Sequence, residues 1–538
     1  MLSSLSCDRR SKVITNSVSL SGSTSETSVS SLNIALAVIE DMKTALVAAG
    51  MEDSEAQVVA TGALQGLNST SLVGGLSLAD QFSPELAIPR LIAGAISALA
   101  DPRAGQGEVT GKLKFLGAIT EGVVGSLGKG TAAVGLTEEQ KKSLPGGITK
   151  SAVANMKSAG LTNSEVSEGI AKVMQGAVTK LKDVGIASAD LQNVVSTMTK
   201  ETIVGMKDIG LSKSLVGSSL QSLVQSTVGA LDDAGVEAAD VGDFVGPIMS
   251  EAVGGINDLG ISGSGQMQSM VGDLVASTVT ALGDAGVKSV DDVSGVLNNC
   301  MKGAMEGIGN AGVESADLTD FVDDMMKGAV RNLDDIGFDD ASSIQSIQTI
   351  SAAVASDTIG YLDDFGVTDA AAIKEASCAI ATGTMAALGD IKGFSNEDFA
   401  AASKAVSSSA VDALYSQARD LNFQSKIADV ASGFATGMIS GLAEAGWKSD
   451  DISAVSDDIG SGFTEALADE ADIDASTLST YTNAINTSTA SAISQMEIDC
   501  LKAKGTWYPG GGGRCEYPLT APGSGGSQPT AVEEEDCF

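Results

Sequence analysis

The chain is 538 residues long, 43% apolar but only 4% aromatic, and carries a formal net charge of −37. It contains no histidine, which removes Ser-His-Asp and Cys-His nucleophile systems, histidine general bases and His-ligated zinc or haem. A surface this acidic repels phosphate backbones and anionic headgroups, which argues against nucleic acid as a partner.

The charge is uneven, with a net of −2 over residues 1–150 and −35 over 151–538. The apolar fraction suffices for a sizeable core of Ala, Val, Leu, Ile and Met, and the many small residues allow helices to approach closely. No run of about 18 apolar residues exists, so no transmembrane helix is expected. The nearest approach, residues 87–100, is too short and carries Arg90.

Residues 1–30 are rich in Ser and Thr, lack periodicity and read as a flexible tether. Their start, MLSSLSCDRRSK, resembles the end of a bacterial lipoprotein signal: small and apolar residues, then Cys7, then a polar Ser-rich linker. Ser4 stands where such signals usually have Leu, and the basic and most of the apolar regions are absent. The resemblance implies lipid on Cys7; Asp8 next to it looks like the inner-membrane retention signal of some bacteria, which leaves the choice of membrane open. A plain disordered N-terminus is the other reading.

Residues 31–50 form the first amphipathic helix, with Ser31 as expected N-cap, a stripe of Leu32, Ala35, Leu36, Ile39, Met42 and Leu46, and Gly50 as stop. Residues 51–134 keep the repeat composition but lose its spacing, interrupted by Pro84, Pro89 and Pro102, and belong with 31–50 to one segment, 31–134. They are expected to make an irregular helical N-terminal cap.

From Gly135 the register is steady. Units of about 25 residues open at Gly135, Gly160, Gly185, Gly210, Gly235, Gly260, Gly286, Gly312, Gly337, Gly366, Gly393, Asn422, Gly446 and Asp472. Asn422 fits because Asn, after Gly, best tolerates the left-handed conformation of a helix end. Within residues 185–209, Leu191, Val194, Val195, Met198, Thr202, Gly205, Met206 and Ile209 recur at helical steps behind Asp190 as expected N-cap. Helices of about 20 residues and 30 Å, joined by short loops, imply antiparallel neighbours. Pro145 and Pro247 fall inside units, which predicts kinked single helices.

Residues 135–497 are therefore the repeat array. Residues 498–538 form a Cys/Gly/Pro-rich tail unable to build a core. The fold expected is all-α: an elongated array of about 13 to 17 single-helix repeats, an α-solenoid or curved up-down stack, with a small loop-rich tail.

Candidate chemistry is sparse. Asp183, Asp208, Asp233, Asp258, Asp284, Asp335 and Asp364 each stand two residues before a unit-opening Gly. An Asp at a helix C-terminus opposes the macrodipole by about 0.3–1 kcal/mol. One reason for the repetition is calcium, with Asp233, Asp258, Asp284, Asp335 and Asp364 as metal candidates in acidic loops. The other is solvated turns, with Asp190, Asp240, Asp291 and Asp317 capping the next helix. No loop has EF-hand spacing.

Cys500 and Cys515 enclose a soft Gly-rich loop and are the expected disulfide, worth about 3 kcal/mol; Cys537 is left over. Three cysteines in the last 39 residues point to an oxidising location. Cys300 and Cys378, three units apart, read as core residues too distant to bond to each other. Asn68-Ser-Thr and Asn486-Thr-Ser match the glycosylation acceptor pattern. No phosphate-binding loop sits in a strand-to-helix setting, and no carboxylate pair stands apart for catalysis.

The expected function is non-catalytic: a secreted or surface-anchored structural or interaction protein, extracellular, periplasmic or on the cell surface. Its partners would be other proteins or copies of itself, with membrane attachment only through Cys7 and no cofactor beyond a possible calcium. The alternatives are a calcium-dependent adhesin, a self-assembling filament subunit and a carboxylate-based enzyme.

Overall fold

The computed structural model describes residues 26–68, 83–101, 109–130, 135–338, 343–391, 394–447, 449–470, 473–502, 506–508 and 514–516. The chain divides into two compact units, Met1–Gly235 and Val236–Phe538. Both are stacks of α-helices.

The first unit contains α1 (Glu26–Ala48), α2 (Asp53–Asn68), α3 (Pro84–Ala98), α4 (Val109–Ser126), α5 (Glu138–Ala154), α6 (Asn163–Thr179), α7 (Ser188–Ile209) and α8 (Lys213–Gly229). The second contains α9 (Val241–Asp258), α10 (Ser264–Asp284), α11 (Val290–Asn310), α12 (Thr319–Arg331), α13 (Ile344–Tyr361), α14 (Ala370–Asp390), α15 (Asn396–Asp420), α16 (Ile427–Glu444), α17 (Ser449–Asp469) and α18 (Ala475–Lys502). A short antiparallel ribbon follows, β1 (Thr506–Tyr508) and β2 (Arg514–Glu516), with Trp507 opposite Cys515.

The helix ends follow from single residues. Gly160, Gly185, Gly210, Gly235, Gly260, Gly286, Gly312, Gly337, Gly366 and Gly446 all have positive φ, and Asn422 joins them with φ of 59°. These are the left-handed stops the spacing predicts. Gly135 differs: it lies in a helical turn, and Gly130 takes the positive φ instead. Gly393 and Asp472 lie outside the described residues.

Helix starts depart from expectation. Asp190 sits in the first turn of α7 behind Ala187, Asp291 in the first turn of α11 behind Ser289, and Asp317 in a 3-10 turn. Asp240 does precede α9, but without a side-chain capping bond. Caps fall instead two or three residues after the Gly. Thr137 accepts from Gln140 N–H at 3.2 Å while its own N–H donates to Gln140 Oε1 at 2.9 Å, a reciprocal cap worth about 1 kcal/mol. The Thr162 N–H likewise donates to Glu165 at 2.7 Å, and this bond holds the Glu165 carboxyl below its usual range. α1 begins at Glu26, five residues before the expected start at Ser31. Pro145 and Pro247 each lie inside one helix, α5 and α9.

Each 25-residue unit is one helix and its loop, but a helix packs most extensively on the one two units along. In the first unit the rows are α1–α4–α6–α8 and α2–α3–α5–α7; in the second they are α9–α11–α13–α15–α17 and α10–α12–α14–α16–α18. From α3 onward, row partners run parallel. Gly303 meets Gly246 and Gly307 meets Val253 between α9 and α11, and Gly433, Gly437 and Gly441 meet Lys374, Cys378 and Thr382 between α14 and α16. The exceptions are α2 against α3, where Gly62 faces Ala98 while Gly66 faces Arg90, and α1 against α4, where Gly122 faces Met42 while Gly50 lies toward Lys114; both are antiparallel pairs. Parallel partners follow from the loops: two reversals restore direction, and the intervening helix occupies the other row.

Glycines spaced four apart, as in Gly303/Gly307 and Gly433/Gly437/Gly441, are what let these rows close. A Cβ at Gly303 would lie 2.1 Å from the Gly246 carbonyl oxygen, and one at Gly437 would lie 2.1 Å from that of Cys378. The row interfaces thus use the small-residue spacing that brings helix backbones into contact. Between rows lies an aliphatic and Met-rich core, in which Thr202 Oγ1 donates to Met174 Sδ, Thr278 to Met249 and Thr358 to Met326. Among the described residues no helix is long and apolar enough to cross a membrane.

Candidate functional site

The Asp residues at the helix ends are the first place to look for chemistry. Asp233, Asp258, Asp284, Asp335 and Asp364 are all exposed on separate turns. Asp233 accepts a bond from Thr179 Oγ1 at 3.3 Å, and Asp183 pairs with Lys129 and Lys180 at 3.7 and 3.9 Å. Among the described residues no three acids gather into a group that could hold a metal ion. The five calcium candidates are not brought together.

What the geometry supplies instead is a set of donors to helix-end carbonyls, one of them at the turn that carries Asp208. Lys112 donates to the Ala159 carbonyl at 3.1 Å, and Lys157 to the carbonyls of Ile209 and Gly210 at 2.8 and 3.3 Å. In the second unit Asn257 does the same to Ala311 at 3.2 Å. Lys157 and Asn257 thus cap the next helix of their row, while Lys112 reaches across from α4 to the end of α5 in the other row. At the Gly210 turn the Lys157 ammonium offsets the macrodipole that Asp208 opposes. Lys157 and Asn257 each stand three residues before a unit-opening Gly; that recurring position was the signal available in the sequence. Replacing Lys157 by Met is expected to destabilise the first unit by about 1–2 kcal/mol, because a charged donor to two helix-end carbonyls, that of Ile209 partly buried, is lost. Lys150→Met, which breaks a half-exposed pair with Glu201 at 3.0 Å, should cost under about 1 kcal/mol. Urea titrations of the two variants measure the difference.

Buried charge concentrates in the second unit. Asp323 on α12 pairs with Lys327 one turn on at 2.8 Å, and Lys327 also pairs with Glu444 at the end of α16 at 2.8 Å. Burial pushes the Asp323 carboxyl up to about 6, against the lowering effect of Lys327. Burial alone would lower Lys327, but its two acids outweigh it and raise its pKa. On the α11–α13 interface Asn298 donates to Asp357, whose carboxyl burial raises, and Lys302 stands 5.3 Å over the Tyr361 ring.

The cavities lie elsewhere. One of about 580 Å³ runs along α2 and α3, with Thr61, Gln65, Arg90, Ser97, Asp101 and Asn155 among its lining. Another of about 570 Å³ follows α18 and is lined by amides, hydroxyls and Ala490, including Asn483, Asn486, Thr487 and Ser494. Neither contains a pair of carboxylates, and Asp323 opens into neither. General acid–base chemistry needs its groups in reach of a substrate; the one acid lining these two cavities is Asp101, in the first.

Cys300 is a free thiol buried in α11, and burial pushes its pKa up to about 12. Cys378 in α14 is equally buried but is not a free thiol, so the expectation of two inert core cysteines holds for Cys300 alone. The side chains of Cys7, Cys500, Cys515 and Cys537 lie outside the described residues, as does the acceptor segment after Asn68. Asn486 is exposed in the middle of α18. A helix interior is a poor acceptor site, since glycosylation acceptors belong to surface loops.

No protein-family model matches the sequence, and no curated protein matches it.

Proposed function

We propose that the chain is a non-catalytic scaffold of stacked helices, secreted or anchored at a cell surface, that works by presenting or spacing other proteins. The observation that carries this reading is where the polar chemistry goes. In both units most of the long-range side-chain bonds tie one helix of a row to the next: Lys157 to Ile209, Ser151 to Pro89, Gln348 to Asp398, Thr436 to Ser488. Such a stack supplies surface area, each repeat held by its neighbours. The lipid on Cys7 and the Cys500–Cys515 disulfide belong to the same proposal.

The exposed turns Asp233, Asp258, Asp284, Asp335 and Asp364 give the calcium-dependent alternative no shared coordination sphere. Head-to-tail assembly through apolar ends also finds little support. Among the described residues the large apolar side chains left exposed are Val47 and Leu86, and the outer face of α18 is Ser, Thr and Asn.

The test is peptide mapping of native protein from its source, under non-reducing conditions, together with a thermal melt. Expected are a lipid mass on the Cys7 peptide, a Cys500–Cys515 bond, and a melting temperature unmoved by EDTA. An unmodified Cys7 with all tail thiols free would sink the exported reading. A clear drop in melting temperature on chelation would replace the passive scaffold with the calcium-dependent adhesin.

A further inference from the structure

The Asp323–Lys327–Glu444 cluster has a feature that the row packing does not require. Lys327 Nζ binds Asp323 Oδ2 on one side and Glu444 Oε2 on the other, joining α12 to α16 past the intervening helix α14. Beside Asp323, α14 presents Gly383: a Cβ there would lie 2.9 Å from Asp323 Oδ1 and 2.4 Å from its backbone oxygen. That Oδ1 is buried and has no hydrogen-bond partner. An ionised carboxylate with one oxygen sealed and unpaired is costly. The charged groups acting on it are Lys327 and Asp324 from its own helix and Glu444 from α16. On the α10 side, it is Asp324 that packs against Gly272. With both acids ionised the three groups sum to one negative charge; with Asp323 protonated they sum to zero.

We propose that Asp323, Lys327 and Glu444 form a proton-sensitive latch, which tightens the α12–α14–α16 row when Asp323 takes up a proton. The sealed Oδ1 then no longer carries charge, and Lys327 serves Glu444 alone. The direction of the effect follows from linkage. The folded pKa of about 6 stands above the ordinary 3.8, so the native state binds more protons between those values. The stabilisation is complete below the lower value and is lost as pH rises through about 6.

Hydrogen exchange of the full chain, read by mass spectrometry and corrected for intrinsic rates, tests this between pH 5 and 7.5. Peptides from α12, α14 and α16 should lose about tenfold in protection across that range, relative to the same peptides in Asp323→Asn. The acidic surface of the second unit adds its own pH dependence, but Asp323→Asn shares it. Glu444→Gln provides the second reading, because Glu444 is partly exposed and removing its charge should move the wild-type transition to lower pH without abolishing it. An equal pH slope in wild type and Asp323→Asn, or a transition unmoved in Glu444→Gln, overturns the latch.

Discussion

Gly303→Ala will destabilise the second unit by about 1–3 kcal/mol, while Gly295→Ala, in the same helix, will stabilise it by up to about 1 kcal/mol. Both positions are interior to α11, so helix propensity alone predicts a gain at each. At Gly295 the added methyl enters open space. At Gly303 it meets the carbonyl oxygen, carbonyl carbon and Cα of Gly246 at 2.1, 2.7 and 2.8 Å, all backbone atoms that no rotamer can move. The α9–α11 row contact must then open. Denaturant midpoints followed by circular dichroism separate the two signs. A neutral or stabilising Gly303→Ala would mean that the row interface is looser than the structure has it. Gly303→Val should cost more than Ala, because a branched side chain adds volume at the same point.

The largest single loss is expected from Phe434→Ala, at about 3–5 kcal/mol. In a chain with only 4% aromatic residues, a large ring fills space that no neighbour can refill. Phe434 on α16 and Phe463 on α17 are fully buried, with ring centroids 6.0 Å apart and planes inclined by 73°. This edge-on contact joins one row of the second unit to the other. Truncating either ring leaves a cavity among small side chains and close-packed glycines, where collapse is hindered. The pair itself should contribute about 0.5–1.5 kcal/mol as a double-mutant coupling between Phe434→Ala and Phe463→Ala. Additive losses would show that the rings act only by volume. Trp447, stacked edge-on against Phe399 at 4.2 Å, offers a fluorescence signal in the same unit.

The second unit is also where the charge lies. The first unit has 19 basic and 22 acidic residues, a net of −3, and the second has 13 and 47, a net of −34. The donors at helix ends change accordingly, from Lys112 and Lys157 in the first unit to Asn257 in the second.

Helix stops were readable in the sequence because they depend on one residue's backbone freedom. Asn422 was placed among the glycines by that argument, and it does adopt a positive φ. Helix starts were misplaced by three residues at Asp190, two at Asp291 and five at Ser31; Asp190 and Asp291 suit the first turn as well as the cap itself. Row pairing was not readable. A 3.6-residue stripe says which face is apolar, not whether that face meets the next helix or the one after. For the same reason Gly295 and Gly303 look alike in sequence, although only one touches a neighbouring backbone. Lys157 and Lys327 owe their roles to partners 52 and 117 residues away, Ile209 and Glu444, which no local pattern specifies.

The parallel rows also impose an order on biosynthesis. A helix that docks on the one two places ahead has no row partner until its own loop, a whole further helix and a second loop have left the ribosome. Antiparallel hairpins of consecutive helices form first, from near contacts, and each then waits with its glycine-lined edge open to solvent. Burial of that edge lags synthesis by about one helix pair, so folding should proceed as a vectorial zipper within each unit. The exposed edge of the newest helix is then the site most prone to pairing with another nascent chain. Where edges share this glycine spacing, as α11 and α16 do, a wrong partner within the chain is close in shape to the right one. The differing neighbours at each contact, such as Cys378 opposite Gly437 and Gly246 opposite Gly303, are what distinguish one rung from the next.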